Sequence, residues 1–565
     1  MLERPVSIIH GKQLSEEPGL GALTLPGFLR EVTRRFADRE ALVQPRPDGA
    51  MERWSYCDLW ERSVAVANSL VACGLGKGER VGVLMTNRAE FLSAVFGTAL
   101  AGGVAAPLST FSTAHELEYL VGISACSLLL LERDVLKKDF AQILCDLDPA
   151  IGVAEPDGLA SLKFPFLRYI AMVDGGTQIG AIETWSRFLS RGEGTNPAQI
   201  EARANTICPA DPGVLFFSSG STARPKGILS AHRGVTIQLW RMARHQGLGS
   251  EVRSWTANGF FWSGNFVMVM GATLAAGGTL LLQRFFQPEE ALALMESEHA
   301  SFLFAWPHQW AQLEAAANWN AVDLASLHYV DADSPMARHP TVSTSWLEPR
   351  HAYGNTETFT LSTGYPANTS RQDAGGSHGP PLAGNSVKIV HPLTGGIMPV
   401  GERGEIALKG PTLMLGYLGV PLDETLDAEG YFHTGDGGYV DDAGRLFWQG
   451  RLNDIIKTGG ANVSPIEIDS IVRDCPGVKV SQTVGVPHDT LGELVVTCVV
   501  PHDGAMLDEH VVRGFAKAKL ASYKVPRHVL FFTEGELAFT GSAKVKTGDL
   551  RSLAASRVEA LRLCS

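Results

Sequence analysis

The chain has 565 residues, 45% hydrophobic and 19% charged, enough to bury more core than one domain holds. Its formal net charge is −12, from 48 basic and 60 acidic residues, and with no basic run or RNP-like aromatic cluster it is not expected to bind nucleic acid. The eight cysteines are scattered, with no CxxC pair and no histidine at ligand spacing, which argues against zinc and a disulfide framework and fits a reducing, cytoplasmic setting.

The start, Met1-Leu2-Glu3-Arg4-Pro5, lacks the apolar segment of a signal peptide. Thr24 is placed to cap a helix with Pro26 in its first turn and Phe28, Val32 and Phe36 on one face. A second helix is expected from about Asp58 to Cys73, stopped by Gly74. Arg80 to Met85 then reads as a buried strand, Ala89 to Ala101 as a helix and Val104 to Leu108 as a strand. The alternation recurs at Cys126 to Leu131 and Tyr169 to Val173, so the fold class is α/β, a parallel sheet covered by helices. The run from Ser254 to Gln283 carries no charge, but Asn258, Asn265, Ser263 and several glycines make it a buried helix and strand, and no transmembrane segment is expected.

From about Gly384 short strands take over, Val387 to Val390, Gly404 to Leu408 and Arg445 to Trp448, punctuated by Gly and Asp. They suggest a small antiparallel or barrel-like subdomain. After Arg451 a compact α+β unit follows, with helices near Pro465 to Asp474 and Asp508 to Leu520 and strands near Val480 to Val486 and Leu494 to Val500. The boundary falls at Leu452 to Asn453, giving an N-terminal domain 1–452 and a C-terminal domain 453–565.

The chemistry concentrates in a few loops. Phe217-Ser218-Ser219-Gly220-Ser221-Thr222-Ala223-Arg224-Pro225-Lys226-Gly227 follows an apolar strand and offers four hydroxyls, close-approach glycines and a lysine to an anion. A polar turn would have the same composition, and Lys226 is followed by glycine, not Ser/Thr, so this is no Walker loop. Tyr353-Gly354-Asn355-Thr356-Glu357 can stack a base, touch a phosphate and hold Mg²⁺. Thr434-Gly435-Asp436 supplies an acid suited to ribose hydroxyls, Gly450-Arg451 a cation, and Lys457-Thr458-Gly459-Gly460 a lysine before paired glycines. Thr540-Gly541-Ser542-Ala543-Lys544 leaves a lysine in a small-residue loop.

In this order the set resembles the adenylate-forming superfamily of acyl-CoA synthetases, peptide-synthetase adenylation domains and luciferases, whose patterns YTSGTTGxPKG, YGxTE, TGD, GRxxDxIxxGG and a terminal TxxGK have counterparts over nearly the whole chain. The resemblance implies a large N-terminal domain of helix-covered sheets plus a mobile α+β C-terminal domain. It assigns Ser218, Ser219, Gly220, Ser221, Thr222 and Lys226 to the ATP phosphates, Tyr353 to adenine, Thr356 to the α-phosphate, Glu357 to Mg²⁺, and Asp436 and Arg451 to the ribose. Lys544 would bridge the carboxylate and the α-phosphate, and Asn453 would be a hinge whose swing brings Lys457, Gly459 and Gly460 toward coenzyme A.

Four departures from the family pattern stand out. Ala223 replaces a loop glycine, Asn453 a hinge Asp or Lys, Ala332-Asp333-Ser334-Pro335-Met336 an adenine wall, and the terminal loop lacks glycine before lysine, leaving Lys546 as the alternative to Lys544. Trp262, Phe266 and Gly354 are the candidate acid-pocket residues, although Phe266, Val267, Met270 and Leu274 also recur at the spacing of a core helix. The expected activity is an ATP-dependent carboxylic acid:CoA ligase for an apolar fatty, cyclic or aryl acid, within fatty-acid or wider lipid metabolism. Two alternatives stay open: an adenylating enzyme that loads a carrier protein, and a nucleotide-binding relative with impaired catalysis. No carrier domain is expected after Arg551, which implies a free thiol carrier, and a homodimer is allowed. Tyr523-Lys524-Val525-Pro526-Arg527 resembles the synthetases' YKxPR stretch and offers cations to CoA phosphates, a solvated helix end being an equally good reading.

Overall fold

The structure is a computed structural model that describes residues 5–174, 176–218, 225–454, 456–458, 461–489, 491–520, 524–537, 545 and 547–563. By its contacts the chain forms two compact units: a larger one of His10–Ser386 with Leu408–Phe432, and a smaller one of Met1–Ile9, Val387–Ala407 and His433–Ser565.

Among the described residues the larger unit holds two large sheets and two short two-stranded ones. The first has eight strands in the order Ile182–Thr184, Tyr169–Val173, Leu128–Glu132, Arg80–Leu84, Val104–Pro107, Pro212–Ser218, Lys226–Ala231 and Gly416–Tyr417. Its first six strands run parallel and the last two pairings are antiparallel. The strand Leu128–Glu132 is buried at every position, as expected where helices cover both faces. The second sheet orders Phe302–Phe304, Arg253–Thr256, Thr279–Leu281, Glu40–Pro45 and Met51–Ser55, parallel except for the final hairpin.

The helices between these strands follow local rules. Leu25–Arg35 starts where the Thr24 hydroxyl accepts the Gly27 N–H at 3.1 Å, with proline in the first turn, and buries Phe28, Leu29 and Val32. Tyr56–Ala72 is capped by Ser55 and Asp58 in a reciprocal box. Ala89–Leu100 is buried on all sides, which explains its almost uniformly apolar sequence. The uncharged stretch folds as expected: strand Arg253–Thr256, the helical segments Ser263–Asn265, Phe266–Gly271 and Ala272–Ala276, then strand Thr279–Leu281. Its middle segment is a π-helix, a feature absent from the sequence expectation. Among the described residues no helix is long and apolar enough to cross a membrane.

The smaller unit carries a five-stranded sheet in the order Ile8–His10, Ser386–Val390, Gly404–Lys409, Phe432–Val440 and Leu446–Arg451. A second sheet follows, with Ala461–Val463, Ile456–Thr458, Gly492–Pro501 and Val478–His488 in order and His528–Phe531 parallel to Gly492–Pro501. Helices Pro465–Arg473 and Glu509–Lys517 cover it over a core that includes Ile468, Val472, Val495, Val499 and Val512.

Candidate active site

The phosphate-loop stems lie on two antiparallel strands of the larger unit. Ser218 pairs with Lys226 and Phe217 with Gly227, so Ser218 and Lys226 face each other as the last ladder pair. Ser219, Gly220, Ser221, Thr222 and Ala223 lie outside the described residues. Lys226 is exposed, and its Nζ lies 4.8 Å from the centroid of the Tyr417 ring. Strand geometry explains this: Tyr417 pairs with Ile228, two residues beyond Lys226, so both side chains share one face of the sheet.

The Tyr353–Glu357 motif reaches the same place. Tyr353 ends the short strand Ala352–Tyr353 and is 6% exposed. Asn355 then caps one 3₁₀ turn, Thr356–Thr358, by accepting the Thr358 N–H at 3.0 Å. Gly354 admits no other residue, because a Cβ there would stand 1.8 Å from the Thr360 carbonyl oxygen. The turn ends in two residues with left-handed backbone, Phe359 at φ 50° and Thr360 at φ 89°. Such a φ is costly for bulky and β-branched side chains, about 1–3 kcal/mol each. The Phe359 ring is fully buried, 5.7 Å from Phe216 and 6.3 Å from Phe266, which holds the turn in this shape.

Glu357 projects from this turn half-buried. The Tyr417 hydroxyl donates to its Oε1 at 2.7 Å, and its carbonyl accepts the Met414 N–H at 2.7 Å. Among the described residues Oε2 takes no hydrogen bond. One carboxylate with an unused oxygen fits Mg²⁺, which keeps its waters and binds through one or two carboxylates and substrate phosphates; it does not fit a full protein cage. Tyr417 was not singled out from the sequence. Only its pairing with Ile228 brings it to Lys226, and nothing in the linear order of Gly416-Tyr417 signals that.

The candidate acid-pocket strip divides by depth. Phe260 is buried against Phe91, at a centroid distance of 5.9 Å, and Phe266 is 0% exposed and edge-to-face with Phe216 at 5.4 Å, so it belongs to the core. Trp262 is half-buried beside Phe261, 6.1 Å away. In the 332–336 segment, Met336 is buried in a 3₁₀ turn and Asp333 pairs with Arg350 at 3.3 Å and Arg371 at 2.9 Å. The Ser334 hydroxyl is buried and finds no hydrogen-bond partner among the described residues.

In the smaller unit Asp436 and Arg451 are a cross-strand pair. Arg451 Nε meets Asp436 Oδ1 at 3.1 Å, and Arg451 Nη1 donates to the Thr434 carbonyl at 2.8 Å. Gly435 takes φ 71°, a conformation that favours glycine. Its N–H donates to Glu405 Oε1 at 2.9 Å, while Glu405 Oε2 meets His433 Nδ1 at 3.1 Å. Glu405 thus fashions the Thr434–Asp436 turn, a role hidden from sequence by about thirty intervening residues. Burial raises the Asp454 carboxyl above its usual range against the pull of Arg551 and Arg451.

Lys457 is exposed on the strand Ile456–Thr458, its N–H donating to Glu493 Oε2 at 2.8 Å. Asn453 lies in the turn Leu452–Asp454. Gly459, Gly460, Tyr523, Lys544 and the alternative Lys546 lie outside the described residues. Lys524 grips both oxygens of Glu467 at 2.7 and 2.8 Å.

Comparison with known proteins adds two family matches: the AMP-binding enzyme family over residues 29–418 and the AMP-binding enzyme C-terminal domain over residues 467–544. The chain is 29% identical over 506 residues to a feruloyl-CoA synthase of an Amycolatopsis species, covering 88% of this chain and 93% of that protein. It is also 29% identical over 543 residues to a methyl-dioxo-octahydro-indenyl propanoyl:CoA ligase of Mycobacterium tuberculosis, covering 94% and 99%. A crystal structure of ATP-bound MatB from Rhodopseudomonas palustris superposes with a TM-score of 0.70 at 25% identity, covering 94% of this chain and 99% of that one.

Proposed function

Because the chain belongs to the adenylate-forming AMP-binding enzymes, we propose that it is an ATP-dependent carboxylic acid:CoA ligase acting on an apolar acid. The observation that carries this reading is the convergence of Lys226 and Glu357 on Tyr417, which sets a cation and a free carboxylate oxygen beside the stems of one loop. Polyphosphate with its metal ion needs both charges at close quarters.

In the first half-reaction a carboxylate oxygen of the acid attacks the α-phosphorus and pyrophosphate leaves. Ser218, Ser219, Gly220, Ser221, Thr222 and Lys226 hold the β- and γ-phosphates, Tyr353 packs on adenine and Thr356 meets the α-phosphate. Glu357 would hold Mg²⁺ through one carboxylate oxygen, and the chemistry such an ion would supply is neutralisation of charge on the phosphates. Asp436 and Arg451 grip the ribose, and Lys544 lies between carboxylate and α-phosphate. In the second half-reaction a CoA thiolate attacks the acyl carbon and AMP leaves. Between the two steps the domain after Asn453 turns, withdrawing Lys544 and presenting Lys457, Gly459 and Gly460.

The acid is bulky and apolar in this reading, with Trp262 and Gly354 at its pocket and Phe266 supporting the wall from the core. The relatives named for feruloyl and bicyclic propanoyl groups favour cyclic and aryl acids within that class. We place the enzyme in the cytoplasm on its scattered cysteines, none of them in a CxxC pair.

The test is mass spectrometry of products from purified protein, Mg-ATP, CoA and a pool of fatty, cyclic and aryl acids, beside Lys544→Ala. Acyl-CoA and AMP are expected, with a loss of about a hundred- to a thousandfold in the variant, the effect of removing one preorganised charge from the transition state. Acyl-adenylate without thioester would move the acceptor to a carrier protein, and no product from any acid would overturn the ligase reading.

A further inference from the structure

The segment 414–418 ties the phosphate-loop strand to the Glu357 turn. Leu415 and Leu418 donate backbone N–H groups to Leu229 and Gly227, at 2.7 and 2.8 Å, while Met414 donates to the Glu357 carbonyl. Tyr417 stands at the centre of this bridge, half-buried, its ring edge-to-face with Phe432 at 6.3 Å. Its π-face meets the Lys226 ammonium and its hydroxyl meets the Glu357 carboxylate.

We propose that Tyr417 is a positioning residue for the adenylation half-reaction, one side chain that sets the spacing between the phosphate lysine and the metal-binding carboxylate. This rests on the ligase reading above. A hydroxyl donating to a carboxylate at 2.7 Å is a charge-assisted bond, stronger than a neutral one, and it engages Oε1 while Oε2 takes no hydrogen bond among the described residues. The ring contributes separately, since a cation within about 6 Å of a ring centroid is attracted to its face whether or not the ring carries a hydroxyl. The two functions are therefore separable by substitution. Tyr417→Phe deletes the oxygen and keeps the ring; Tyr417→Leu deletes both.

The experiment measures Mn²⁺ binding by electron paramagnetic resonance with α,β-methylene-ATP present, alongside the Mg²⁺ dependence of pyrophosphate release. For Tyr417→Phe the apparent Mn²⁺ dissociation constant is expected to rise about tenfold, the scale of one hydrogen bond to a charged group, with excess Mg²⁺ restoring most turnover. Tyr417→Leu should add a rise in the ATP KM that excess Mg²⁺ does not restore. In a Glu357→Gln background Tyr417→Phe should change Mn²⁺ binding less than about twofold, because the two act as a unit. Thermal melts of both tyrosine variants check that the fold survives. A Tyr417→Phe enzyme that binds Mn²⁺ as wild type does, or an effect undiminished beside Glu357→Gln, overturns the positioning role alone. A wild type that binds no Mn²⁺ with the nucleotide and forms no acyl-adenylate overturns the parent reading with it.

Discussion

Arg451 and Asp436 show how two residues of ordinary kind become, through their cross-strand pairing, the pair we propose as a ribose clamp. Asp436 is buried and Arg451 half-exposed, and the arginine also reaches the Thr434 carbonyl, so it holds the turn that carries the acid as well as the acid itself. Replacing Arg451 by Met removes both contacts and leaves a buried carboxylate facing an apolar chain. The ATP KM is expected to rise about tenfold or more, with a smaller change in kcat, because a ribose contact is made equally in ground and transition states. Steady-state kinetics against ATP checks the split, and a fall in kcat alone would assign Arg451 to the chemistry instead.

At the scale of elements, the turn Thr356–Thr358 is over-determined from outside. Gly354 lets the chain pass against Thr360, Asn355 caps the turn, and the buried Phe359 ring holds a strained backbone in place. Gly354→Ala forces a methyl into the Thr360 carbonyl. It should lower the melting temperature by several degrees and cut adenylate formation more than about a hundredfold, since a misplacement of about 1 Å has that effect on a positioned group. A variant with wild-type melting and rates would show that the turn shifts without consequence. The motif's glycine and carboxylate were legible in the sequence because their chemistry is local. The strained pair and Tyr417 were not, since each depends on a neighbour that only folding supplies; the Asn355 cap, three residues from its donor, is local but was not singled out.

For the molecule as a whole, pH offers a measure of how tightly the larger unit is sealed. Burial pulls His232 and His245 down to about 4, with Arg241 adding to the effect at His245, and burial does the same for His378 with help from His351. His232 Nδ1 also accepts the Leu25 N–H at 3.3 Å, a bond that a protonated Nδ1 cannot make. Unfolded histidines titrate near 6.5. The folded state therefore binds fewer protons across this window, so this stability is fully present above about pH 6.5 and is lost as pH falls toward about 4. The urea midpoint should drop progressively from about pH 7.5 to about pH 5, and His232→Gln, which keeps an acceptor but cannot ionise, should reduce the slope; a flat midpoint would sink this account. The linear order by itself determined the α/β class, the helices between the parallel strands, the order of the nucleotide motifs and hence the family. Each of these rests on hydrophobic period, capping residues or short contiguous chemistry, signals that act within a few residues. The tertiary structure alone decided that the phosphate-loop strand returns antiparallel and lays Lys226 over Tyr417, and that Glu405 fashions the Thr434–Asp436 turn. It also placed Phe266 in the core. Those outcomes depend on which strands become neighbours and in what register, and a choice between positions tens or hundreds of residues apart is set by packing of the whole core rather than by any local preference.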